Sequence, residues 1–189
     1  MQHEIVQCAG AVLLADFFSG LVHWAEDAYV RADTPWIGRS IGTANEEHHQ
    51  HPRAFVSRTW WASSWDLVVA SGVVVLTAAW IERLSGPVWT FAIAAGNANQ
   101  VHKWAHRAPH ENGRLITWLQ KCKPLQTQRH HARHHCGRKD TNYCSITNFL
   151  NPLLDRLKFW TALEWSVAEI FGLHRRTDIT VKPGVGSHR

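Results

Sequence analysis

The chain has 189 residues, the length of one domain, and its formal net charge of +5 points to an anionic surface as partner. Eleven tryptophans turn that choice away from nucleic acid and toward a lipid bilayer, where Trp is enriched at the boundary between apolar core and water. Cys8, Cys122, Cys136 and Cys144 form no CxxC pair and are too sparse for a disulfide scaffold, so they read as reduced thiols.

In chain order, residues 5–24 form an apolar run broken only by Gln7, Asp16, Ser19 and His23. About 20 such residues cross a hydrocarbon core, and this run is the predicted first span. Residues 65–81 and 88–101 are two further runs, and Gly86-Pro87 between them suits the turn of a helical hairpin. The soluble alternative is a pair of helices buried in a globular core. Arg31, Arg39, Arg53 and Arg58 lie in the first connection, and Lys and Arg are frequent after Val101, whereas the hairpin turn has only Glu82 and Arg83. The positive-inside rule then puts the first connection and the carboxy-terminal region together on the cytoplasmic side. Residues 145–172 mix apolar and charged positions at helical spacing, with Pro152 near a helix start, and are expected to form an amphipathic helix on the bilayer surface. Residues 175–189 read as a loose polar tail. The expectation is an all-α, multi-pass integral membrane protein of about three to four transmembrane helices, with one domain over 1–174.

Fourteen histidines punctuate this pattern, most of them in clusters at one end of the spans. Asp16, Gly20, His23 and Asp27 stack on one helical face, which places Asp27 to ligate a metal or to hold a ligand imidazole, and Asp16 to support it from deeper in the span. His48 and His49, with His51 nearby, occupy HHQHP. His102 and His106 are spaced i, i+4 in HKWAH, and Asn99 shares their face, where it can orient water or a ligand. RHHARHH holds His130, His131, His134 and His135, with 130/134 and 131/135 again at i, i+4. Arg129, Arg133, Arg138 and Lys139 around it leave a phosphate-binding basic patch as the alternative. The imidazoles exceed what one ion uses, and a zinc hydrolase needs only three protein ligands, so two metals are expected. Two irons held mainly by histidine at a membrane surface suit O₂ activation and hydrogen abstraction from an unactivated carbon. A non-enzymatic metal carrier or adaptor is the alternative. It predicts ionisable groups spread through the spans, and only Asp16 lies deep.

Taken in order, DFFSGLVHWAED, HHQHP, HKWAH, RHHARHH and NYCSITNFLNPLLD resemble the lipid desaturase family, which includes Kua-like plasmanylethanolamine desaturases and plastid desaturases acting on phosphatidylglycerol. The resemblance covers residues 12–172. It implies a dinuclear iron site that uses O₂ and two electrons from a donor such as cytochrome b5 or ferredoxin to place a double bond in a phospholipid chain near the headgroup. The ligands implied are His23, His48, His49, His102, His106, His131, His134 and His135, with His130 and Asp27 close behind. Tyr143, Asn151 and Asp155 match positions around the site. HKWAH and RHHARHH are nearer the plasmanyl branch, whose product is the vinyl ether of a plasmalogen, whereas HHQHP and NYC look like the plastid branch. An acyl-chain desaturase or a hydroxylase of the same iron chemistry is the alternative outcome.

Overall fold

The computed structural model describes residues 1–136 and 139–177. Arg138 of the expected basic patch and residues 178–189 of the expected tail lie outside the described residues. Within them every regular element is a helix, without a strand. Two helices, α1 (Gln2–Tyr29) and α4 (Trp60–Trp80), are long and apolar enough to cross a membrane, and only 28% of the apolar window of each is buried. A core helix of a soluble protein would be covered. Here Leu14, Val69, Val73 and Leu76 point outward instead.

Between these helices the connection folds as a π-helical turn (Gly38–Gly42), α2 (Thr43–Gln50) and α3 (Pro52–Ser57). The Thr59 hydroxyl accepts the Ala62 N–H and starts α4. The expected third span, 88–101, is not a single helix. α5 (Gly86–Gly96) starts with Pro87 in its first turn, and α6 (Ala98–His106) continues after a break at Asn97. The cause is local: Asn97 folds its side-chain amide back onto the Ile93 carbonyl, 2.9 Å away, and its Oδ1 accepts from the Trp60 indole. α5 packs on both α1 and α4 through small side chains. Ala15, Ala92, Ala95 and Gly96 let the backbones approach, the device that membrane helices use where burial of apolar surface from water gives no drive.

The remainder comprises a 3₁₀ turn (Pro109–Glu111), α7 (Gly113–Lys121), α8 (Gln128–His131), α9 (Leu150–Arg156) and α10 (Phe159–Phe171). The single amphipathic helix expected over 145–172 is therefore three pieces. Residues 145–149 are non-helical, and Lys158, at φ 52°, separates α9 from α10 because a left-handed residue cannot continue a right-handed helix. Phe149, Leu153, Leu157, Trp165 and Ile170 remain exposed along this region, while Trp160 is buried against Trp24 and Tyr143.

A strap over residues 141–147 ties these parts to α1. Ser145 bonds to Ser19, and Ile146 and Thr147 both donate to the carboxylate of Asp16. Gly20 allows this closeness, since a Cβ there would lie 2.7 Å from the Cys144 sulfur and 3.2 Å from the Trp160 ring. The start of the expected tail is also held in place. Arg175 contacts Tyr143 and Glu164, and the Arg176 backbone donates to the Ala28 carbonyl at 2.9 Å.

Candidate metal centre

Four segments converge where α1 ends. α1 contributes His23 and Asp27, α2 contributes His48 and His49, α6 contributes His102 and His106, and α8 with the turn after it contributes His131, His134 and His135. They form two groups: His48, His102, His106, His131 and His135 in one, and His23, Asp27, His49 and His134 in the other. Within each group the potential ligand atoms lie within 4.8 Å of one another. His23 and His102, whose ring centroids are 5.2 Å apart, adjoin across the two groups.

In the five-histidine group Nε2 of His102 is 2.7 Å from Nε2 of His131 and 3.1 Å from that of His106, and His131 Nε2 is 3.1 Å from that of His135. In the other group His49 Nε2 lies 2.8 Å from Asp27 Oδ1 and His134 Nε2 lies 3.2 Å from Oδ2, with His23 Nε2 3.9 Å from Oδ1. The adjacent pairs 48/49 and 134/135 each divide between the groups.

Surrounding carbonyls set the tautomers. His23 Nδ1 contacts the Tyr143 carbonyl at 3.1 Å and His134 Nδ1 contacts that of Thr141 at 2.8 Å. A carbonyl only accepts, so each Nδ1 carries the hydrogen and each Nε2 presents its lone pair inward. Those two Nε2 atoms, both ring nitrogens of His48 and Asp27 Oδ2 are buried without hydrogen-bond partners. Burial, reinforced by neighbouring imidazoles, holds His48 and His131 well below the usual histidine range. Burial also lowers His49 despite the opposing pull of Asp27. Uncharged imidazoles with converging lone pairs, one carboxylate and no thiolate make a donor set that fits two first-row metal ions.

The remaining expected residues sit at varying distances from this centre. His130 belongs to neither group: Asn151 Nδ2 donates to its Nε2 at 3.2 Å. α8 ends at His131, so the i, i+4 geometry expected for 130/134 is not kept. Asn99 lines the adjoining cleft but gives its amide to the Ser63 carbonyl. Asp16 receives the strap and does not reach the centre. Tyr143 donates its hydroxyl to the Lys139 carbonyl, Asn151 brackets the Cys144 backbone, and Asp155 accepts from the Asn142 N–H. Lys139 turns inward to the His49 carbonyl, which removes it from a basic surface patch. Two contributors escaped the sequence reading. Asn45 donates to Asp27 Oδ1 at 2.8 Å, and its place three residues before His48 on α2 was the available signal. Arg175, which bonds the Tyr143 hydroxyl at 2.6 Å, gave none.

Comparison with known proteins sets this centre in a family. The model of the lipid desaturase domain matches residues 12–178. The chain belongs to the lipid desaturase family. It is 30% identical over 185 residues to plasmanylethanolamine desaturase 1 of Mus musculus, covering 90% of this chain and 66% of the mouse protein. It is 34% identical over 155 residues to the chloroplastic fatty acid desaturase 4 of Arabidopsis thaliana, covering 80% of this chain and 48% of the plant protein. A probable fatty acid desaturase of Acanthamoeba polyphaga mimivirus is 29% identical over 183 residues, covering 92% of this chain and 86% of the viral one. The chain thus spans about two thirds of the mouse relative and about half of the plant one. No solved structure matches it. All five motifs that carry the resemblance fall within the matched lipid desaturase region, as do both ligand groups.

Proposed function

We propose that the chain is a di-iron lipid desaturase that forms the vinyl ether of plasmenylethanolamine from plasmanylethanolamine. The observation carrying this reading is the pair of ligand groups, eight histidines and Asp27, at one end of two outward-facing apolar helices. When bound there, two irons supply the one-electron and O₂ chemistry needed to attack an unactivated chain. Overall, the substrate gives up two hydrogens and an electron-transfer protein of the cytochrome b5 or ferredoxin type gives two electrons. These four electrons, with two protons from solvent, reduce O₂ to two waters.

The protein's own part is to hold and exclude. The Tyr143 and Thr141 carbonyls fix the rings of His23 and His134, and Asn45 holds Asp27 with both its oxygens inside the second group. Burial of His23, His48, His49, His102, His131 and His134 keeps bulk water from the centre. In the membrane α1, α4 and the broken α5–α6 pair serve as crossings, with the centre on the cytoplasmic side. The arginines of the first connection support that orientation.

Expression in cells that lack ether-lipid desaturation, grown with an alkyl-glycerol precursor, tests the reading by lipid mass spectrometry and metal analysis. Vinyl-ether ethanolamine lipid with about two irons per chain is the expected result. A hydroxylated ether lipid or an unsaturated acyl chain would assign the alternative outcome, and metal without lipid change would favour a carrier.

A further inference from the structure

Beside the centre a cleft of about 70 Å³ opens between α1, α2 and α4. His23, His48 and His102 line it together with three charged side chains, Glu26, Arg58 and Asp66. Such a volume holds a few waters or one small polar group, and not a whole lipid. The carboxyls of Glu26 and Asp66 interact electrostatically across it, as do Asp66 and Arg58, yet none of the three has an ion-pair partner within 4 Å among the described residues. All three are half-buried, Glu26 in the last turn of α1, Arg58 just before α4 and Asp66 in its second turn, where charge is costly unless something compensates it. Neither the metal groups nor the fold employs them. Asp66 accepts only its neighbour's N–H, from Leu67, and Arg58 reaches only the Ala62 carbonyl.

We propose that Glu26, Asp66 and Arg58 form the headgroup subsite, the two carboxylates receiving a primary ammonium and the guanidinium receiving the adjoining phosphate of an ethanolamine phospholipid. This rests on the lipid substrate proposed for the chain and selects among headgroups. The charge pattern matches the zwitterion: an ammonium between two carboxylates relieves their repulsion with three N–H donors, and a phosphate oxygen pair suits a guanidinium fork. A phosphoglycerol headgroup brings the phosphate but no cation, and leaves the acid pair uncompensated. The same cleft is lined by His23, His48 and His102, so a headgroup held in it lies beside the ligand groups.

The test uses the metal-free full chain in detergent and two short-chain alkyl-ether lipids that differ only in carrying phosphoethanolamine or phosphoglycerol, with dissociation constants measured by titration calorimetry. Wild-type protein is expected to prefer the ethanolamine lipid by about tenfold or more. Glu26→Gln and Asp66→Asn, which keep shape and remove charge, should each reduce that preference, and the double variant should abolish it. Arg58→Gln should weaken both lipids alike. Circular dichroism identifies variants that have not folded. A double variant that keeps the wild-type ratio, or wild-type protein that binds both lipids equally, overturns the headgroup assignment and leaves the desaturase reading intact. Wild-type protein that binds neither lipid overturns both.

Discussion

The Ile146 N–H donates to Oδ1 of Asp16 at 2.7 Å, and the neighbouring Thr147 hydroxyl donates to Oδ2 at 2.5 Å. One carboxylate inside an apolar helix thereby fixes the strap whose Tyr143 carbonyl orients His23. Asp16→Ala should leave two buried donors without acceptors and destabilise the metal-free protein by about 2–4 kcal/mol. Asp16→Asn, which retains an acceptor for Ile146, should lose roughly half as much. Denaturant unfolding in detergent measures both. An unchanged midpoint for Asp16→Ala would show that the strap is held elsewhere.

His102 and His135 stand within the five-histidine group, whereas His130 is turned to Asn151. His102→Ala and His135→Ala should each lose about half of the bound iron and all desaturation, with helical content preserved, since neither ring supports an apolar helix. His130→Ala should keep wild-type iron. Iron analysis of the three purified variants checks this, and iron loss in His130→Ala equal to that in His102→Ala would return His130 to the ligand set.

Acid should destabilise the metal-free protein in a definite window. The folded state holds His48 and His131 below the ordinary histidine range, chiefly by burial. The unfolded chain therefore takes up protons first, as pH falls through about 6.5, and stability declines from there until the folded groups themselves protonate. Denaturant midpoints recorded between pH 8 and pH 5 should fall on the acid side. A flat profile would mean that the imidazoles are not buried in neutral form.

Some of this architecture was legible in the sequence for plain geometric reasons. His102 and His106 share a group because residues four apart lie on one helical face, and His23 and Asp27 share a group for the same reason, whereas His135 joins His131 from the turn after α8. The apolar helices over 2–29 and 60–80 follow from composition and length. The break at Asn97 was hidden because it depends on one amide folding back on its own helix and meeting Trp60, within an uninterrupted apolar run. The division of 145–172 was hidden because period counting does not register a left-handed residue such as Lys158. Asp16 is expected to support the metal centre from deeper in the span, but its carboxylate holds a segment about 130 residues later in the chain, a distance at which spacing carries no information.

The allocation of His48 and His135 to one group and of His49 and His134 to the other gears the two halves together. Neighbouring side chains on a helix leave its axis about 100° apart, so turning α2 to draw His48 inward swings His49 sideways past Asp27. The turn that carries His134 and His135 imposes the same restriction from the opposite wall. Neither half can widen or tighten alone, and the distance between the two ligand groups is set by the rotational phase of two short segments.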